Sequence, residues 1–302
     1  MSKAQRFQLA GKTVFITGAA RGIGAGAAER LHAQGANVAL AGLEPDLLHA
    51  LADRLGERAL AIEVDVTDFD GLQDAVATTV ERFGGIDVGI ANAGISFTGP
   101  LASAPMEQVE RTFAVNLLGV WRTDRALIPE ITAKRGYLLN IASLAAASHA
   151  PMMGPYSSTK AGVEALTDVL RQELSPSGAR VGCAYFGFID TDLVRGGFSQ
   201  PSAGAITAQA PKFISEPAPL SKAIDAIERG VGERAARVWA PRWVGATLYL
   251  RTLVQALTER RVLSDPASLA AAMRLAESSH ETDTQDPLLG VAVKARGGVA
   301  VD

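Results

Sequence analysis

The chain has 302 residues, 48% of them hydrophobic and 20% charged, with a net charge of −3. That is enough for one large α/β domain with a substantial buried core. The near-neutral balance and the 6% aromatic content supply neither the basic footprint nor the stacking platforms of a nucleic-acid binder.

Lys12 to Ile16 is a short apolar, β-rich run, predicted as a strand over Thr13–Thr17. It leads directly into Thr17-Gly18-Ala19-Ala20-Arg21-Gly22-Ile23-Gly24, and a helical pattern follows from Ala25 to about Ala33. A strand, a glycine-rich turn and a helix in that order make a pyrophosphate site, because the glycines admit backbone N–H groups and the helix N-terminus favours negative charge. A second strand is expected over Asn37–Ala41, running into Gly42-Leu43-Glu44, and a third over Ala59–Val64, followed by Asp65-Val66. The fourth, Asp87–Ala91, ends at Asn92-Ala93-Gly94. A long helical stretch from about Met106 to Ala133 carries Asn116 and is expected to break near Gly119.

The fifth strand, Tyr137–Ile141, leads to Ser143, and a helix is expected from Tyr156 to Leu174, stopped by Pro176-Ser177-Gly178. Tyr156 and Lys160 lie four apart and so share one helix face. An ammonium at that distance stabilises a phenolate and lowers the tyrosine pKa. A tuned phenol beside a hydroxyl is a proton-transfer device for an alcohol or carbonyl. A sixth strand is predicted at Val181–Tyr185, then Phe186-Gly187-Phe188-Ile189-Asp190-Thr191, an irregular segment to about Pro219, and a seventh strand at Arg237–Ala240. Val244 to Leu257 reads as one amphipathic helix that covers apolar surface; Arg251 interrupts it, so it is too short and too polar to span a membrane. Pro266 to Ser278 looks helical, and Ser279 to Asp302 is polar, then glycine-rich.

Strands alternating with helices predict a doubly wound, mostly parallel sheet with helices on both faces. Gly18, Asn92, Ser143 and Gly187 all fall at or just after strand ends, on the one edge where such sheets bind ligands.

The glycine-rich turn, Asn92-Ala93-Gly94, Asn116, and Ser143 thirteen residues before Tyr156-x-x-x-Lys160 together resemble the short-chain dehydrogenase/reductase family, from about Leu9 to Pro241. The resemblance implies a Rossmann-type seven-stranded fold and an NAD(P)-dependent oxidoreductase interconverting a secondary alcohol and a ketone. Catalytic roles would fall to Ser143, Tyr156, Lys160 and Asn116. Tyr156 would be the acid/base and Ser143 would hold the substrate oxygen. Lys160 would bind the nicotinamide ribose, and Asn116 would hold a relay water. Cofactor contacts would come from Gly18, Arg21, Gly22, Ile23, Gly24, Leu43, Asp65, Val66, Asn92, Ala93, Gly94, Tyr156, Lys160, Gly187, Ile189 and Thr191. Phe186 stands where the family carries proline and could pack against a nicotinamide face. The segment 188–219 would be a substrate lid within a domain over 1–262, with 263–302 an extension. The resemblance also implies a homodimer or homotetramer paired through the two long helices.

Dinucleotide choice turns on the end of the second strand. The position expected to hold an acid in NAD enzymes is Gly42, and Arg21 could pair with a 2′-phosphate. This favours NADP, while Glu44 could still reach the ribose and argue for NAD. Leu144, Ala145, Met152, Met153 and the lid suggest an apolar substrate. A non-catalytic dinucleotide-binding sensor or scaffold is the alternative on the same fold. One cysteine, Cys183, excludes an intrachain disulfide and fits a reducing cytoplasm. Four scattered histidines suggest no metal site, and the early first strand leaves no room for a signal peptide.

Overall fold

A computed structural model describes residues 6–199 and 216–282. Seven strands, β1 (Thr13–Thr17), β2 (Asn37–Gly42), β3 (Ala59–Glu63), β4 (Val88–Ala91), β5 (Tyr137–Ile141), β6 (Arg180–Phe186) and β7 (Arg237–Ala240), form one sheet in the order 3-2-1-4-5-6-7. Every pairing is parallel. The order reverses between β1 and β4, which opens a crevice at their carboxyl ends.

The two-residue period of the strands sorts their side chains between two cores. Val14, Ile16, Val38, Leu40, Val88 and Ile90 pack on the face covered by α1 (Gly22–Ala33), α2 (Pro45–Leu55) and α8 (Leu220–Glu233). Phe15, Ala39, Ala41 and Leu138 point the other way, against α3 (Phe69–Phe83) and α5 (Gly119–Ala133). All five residues of β1 are buried, as a central strand covered on both faces requires. Each Leu or Ile so buried contributes about 1.5–3 kcal/mol.

The stretch over Met106 to Ala133 does break, but as three pieces: α4 (Met106–Phe113), a π-helical turn (Ala114–Leu118) and α5. The widened turn centres on Asn116, three residues earlier than the expected break. The helix α6 spans Gly154–Glu173. After β6 the segment expected as a lid begins with α7 (Asp192–Ser199); its residues 200–215 fall outside the described part, Ile206, Phe213 and Ile214 among them. The single amphipathic helix expected over Val244–Leu257 is instead two, α9 (Arg242–Tyr249) and α10 (Arg251–Leu263), hinged at Leu250. The last described element, α11, runs over Pro266–Thr282. Among the described residues no helix is long and apolar enough to cross a membrane.

Candidate active site

The glycine turn is shaped by close approach. Gly18 has φ +64°, and a Cβ there would lie 2.9 Å from the Ala93 Cα. Asn92 ties the ends of β1 and β4 together: its amide nitrogen donates to the carbonyls of Thr17 (3.0 Å) and Gly18 (3.1 Å). The Thr17 hydroxyl accepts from the backbone of Asn92 (3.0 Å) and Ala93 (3.2 Å). Thr17 was not foreseen as a site residue; a strand-end hydroxyl just before the glycine turn was its signal. At Gly22, φ is +56° and the position of a Cβ would be 3.5 Å from the Thr191 Cγ2, so the turn and the segment after β6 face one another. No side chain caps the first turn of α1 and no acid occupies it. That leaves the dipole and N–H groups near Gly22, Ile23 and Gly24 suited to a pyrophosphate.

Arg21 and Glu44 form an ion pair, so the two residues that pull dinucleotide choice in opposite directions meet. Leu43 between them is 43% exposed. The carboxylate of Asp65 accepts from the Thr67 N–H at 2.8 Å, and Val66 is buried against Gly119, whose Cβ would clash with it. Gly187 is bonded to the Ala240 carbonyl (2.9 Å). Ile189 is buried and bridges to Ala218. The Thr191 hydroxyl donates to the Ile189 carbonyl (3.3 Å) and accepts from Val194 N–H (3.4 Å). The Phe186 ring is buried in the core beneath α1 and α8, and its carbonyl accepts from Ser143 Oγ at 3.4 Å.

Ser143, Tyr156 and Lys160 converge beyond β5. The Ser143 hydroxyl accepts from Ala145 N–H at 3.1 Å and is near enough to Tyr156 to act on its phenol. Burial pushes the Tyr156 phenol above its ordinary pKa, and Ser143 opposes that rise. The expected lowering by Lys160 does not appear: desolvation is the largest influence on the phenol, and the opposing one is Ser143. The Lys160 ammonium lies 5.6 Å from the Tyr156 ring centre and donates to the Ile141 carbonyl at 2.9 Å. Burial depresses its pKa to about 8.

Asn116 is fully buried. Its Oδ1 accepts from Ile95 N–H and its Nδ2 donates to the Ile95 carbonyl, both at 2.8 Å. It pins the chain after β4, and the π turn is what aims it there. A Cβ on Gly94 would sit 3.2 Å from Asn116 Oδ1 and 3.6 Å from Lys160 Nζ, which shows that the two groups share one space. Cys183 is buried, its thiol pushed up to about 12 by desolvation, and is therefore unreactive at neutral pH.

Residues 12–201 match the family model for short chain dehydrogenases. A trans-4-hydroxycyclohexanecarboxylate dehydrogenase of Sinomonas cyclohexanicum is 35% identical over 65% of this chain and 81% of its own. A fatty acyl-CoA reductase of Mycobacterium tuberculosis is 30% identical over 82% of this chain and 87% of its own. Among solved structures, a short-chain dehydrogenase/reductase from Burkholderia phymatum in complex with NAD superposes with a TM-score of 0.73 at 25% identity, covering 83% of this chain and 96% of that one. The chain belongs to the short-chain dehydrogenase/reductase family, with its Rossmann-type fold, and is an oxidoreductase of that family.

Proposed function

We propose that the chain interconverts a secondary alcohol and a ketone on an apolar small molecule, with NAD as the dinucleotide. The observation that carries this reading is the convergence of Ser143 and Tyr156 with a buried ammonium 5.6 Å from the phenol ring, in a chain with an uncapped glycine turn. The bound dinucleotide would supply the one capacity the side chains lack, a two-electron hydride acceptor or donor. Tyr156 takes the hydroxyl proton in oxidation and returns it in reduction. Ser143 holds the substrate oxygen near Tyr156 and fixes the reacting geometry. Lys160, charged below about pH 8, favours the phenolate and binds ribose hydroxyls. Asn116 spends most of its amide on Ile95, so its part is first to hold the loop that borders the nicotinamide.

The Arg21–Glu44 pair moves the balance away from NADP. Arg21 is already neutralised, and a carboxylate two residues past β2 accepts from a ribose hydroxyl and repels a 2′-phosphate. The partly buried Leu144 and Met153 beside buried Ala145 and Met152 support an apolar substrate. The sensor alternative loses weight because no member of the Ser-Tyr-Lys set is missing. The test is turnover of NAD with a panel of secondary alcohols. The wild type reduces NAD, and Glu44→Gln moves the NADP-to-NAD preference about ten-fold toward NADP. Failure with both dinucleotides would contradict the reading; an unmoved preference would contradict the choice of NAD.

We propose further that the chain forms homodimers through α5 and α6, where Trp121 and Val169, with Leu118 of the π turn just before α5, expose large apolar side chains (41%, 49% and 42%).

A further inference from the structure

The family-model match ends at residue 201, yet the two helices that follow α9 contact the family-matched part around the site at four places. Arg251 opens α10 with a two-pronged pair to Glu164 of α6, at 2.9 and 2.7 Å. Glu164 also accepts from the Tyr185 hydroxyl at 2.8 Å and stands one helical turn beyond Lys160. One turn along α10, Gln255 Oε1 accepts from the His149 N–H at 2.8 Å, and Gln255 Nε2 donates to the His149 carbonyl at 3.4 Å. On α11, Ala272 and Ala276 are buried against Met152, with Met273 beside them. Glu277 accepts from the Ser103 hydroxyl at 2.6 Å. His149 and Met152 belong to the loop between Ser143 and Tyr156; Ser103 belongs to the segment after β4.

Met152 has φ +64°, a left-handed conformation that a long side chain adopts rarely. Such a residue persists only where its surroundings over-determine it. Here Gly99 N–H donates to the Met152 carbonyl at 2.8 Å, α11 buries the side chain, and Gln255 fixes the backbone three residues earlier. A helix that merely covered apolar surface would have no need of a paired polar contact to one loop residue's backbone.

We infer that α10 and α11 form a fixed wall of the substrate site, holding loop 147–153 in its left-handed turn beside Ser143 and Tyr156, with Gln255 and the Ala272–Ala276 face as positioning residues. The wall, and not the family-matched part alone, then sets which apolar group fits next to the reacting carbon. This rests on the proposed alcohol–ketone reaction at Ser143 and Tyr156 for where the substrate lies.

Hydrogen exchange on the full chain tests it. Gln255→Ala removes both bonds to His149, Ala276→Glu drives a charge against Met152, and Thr252→Ala on the exposed side of α10 is the control. Both test variants exchange about ten-fold faster over 147–153 and at the Gly99 amide, while the turn 17–24 is unchanged. NADH affinity stays within about two-fold, and the KM for 2-decanol rises about ten-fold with little change in kcat. Wild-type protection of 147–153 in Gln255→Ala would overturn the inference, as would faster exchange spread evenly over the chain. If Ala276→Glu does not fold, Gln255→Ala decides alone. Absence of NADH binding by the wild type would sink the proposed NAD-dependent alcohol–ketone reaction separately, since the exchange result needs no dinucleotide.

Discussion

Lys160 is 4% exposed, and its ammonium donates to the Ile141 carbonyl. Its pKa falls from 10.5 to about 8, so at neutral pH its charge is held in the fold at a cost of about 3 kcal/mol. The cost is fully present below about pH 8 and is relieved as pH rises toward 10.5, because over that window the unfolded chain binds the extra proton. Lys160→Met should therefore raise stability at pH 7 by about 2 kcal/mol once the lost bond to Ile141 is deducted. The gain should shrink above about pH 8. Denaturant unfolding at several pH values checks this, and a variant less stable at pH 7 would contradict it. At this scale the sequence was informative about identity and spacing: Ser143, Tyr156 and Lys160 do meet. It was less informative about charge. The four-residue spacing suggested a phenol lowered by its lysine, whereas burial raises it. Desolvation depends on everything packed around a group, which no local spacing reveals.

Asp124 of α5, Asn140 of β5 and Thr167 of α6 join three elements behind the site. Asn140 Nδ2 donates to Asp124 Oδ2 at 2.7 Å and to Thr167 Oγ1 at 3.1 Å. Asp124 Oδ1 and Asn140 Oδ1 are buried without a protein partner. Desolvation lifts the Asp124 carboxyl to about 7, so ionising it costs stability that is lost as pH rises from about 4 through 7. Asp124→Asn should remove that dependence and stabilise the chain by a few kcal/mol at pH 8, with little gain at pH 4. Thermal unfolding at the two pH values measures it, and equal effects at both would contradict it. Element order and type were legible from hydrophobic period and turn residues, since each strand and helix announces itself locally. The π turn at Ala114–Leu118 was not, because it is fixed by Asn116 reaching Ile95 across the fold. Nor was the division of Val244–Leu257 at Leu250, where Arg251 turns inward to Glu164.

For the whole molecule, a parallel sheet with Gly18, Asn92, Ser143 and Gly187 at one edge follows from strand–helix alternation, while the strand order was implied only by the family resemblance. The contact of Arg21 with Glu44, which redirects dinucleotide choice, depends on how the glycine turn lies over the end of β2, a relation between segments 23 residues apart. The same limit applies to the C-terminal helices, whose composition shows only an amphipathic pattern. The exposed Leu118, Trp121 and Val169 predict a dimer. Sedimentation should give twice the chain mass for the wild type and the monomer mass for Trp121→Glu; a monomeric wild type would contradict the pairing.

The account stands or falls on Tyr156 as the proton carrier of an alcohol–ketone interconversion. The measurement is Tyr156→Phe, with turnover of NAD and affinity for NADH determined on the same preparation. Turnover should fall by about three orders of magnitude or more, with NADH binding retained within a few-fold. A variant that turns over at the wild-type rate would contradict the assignment outright.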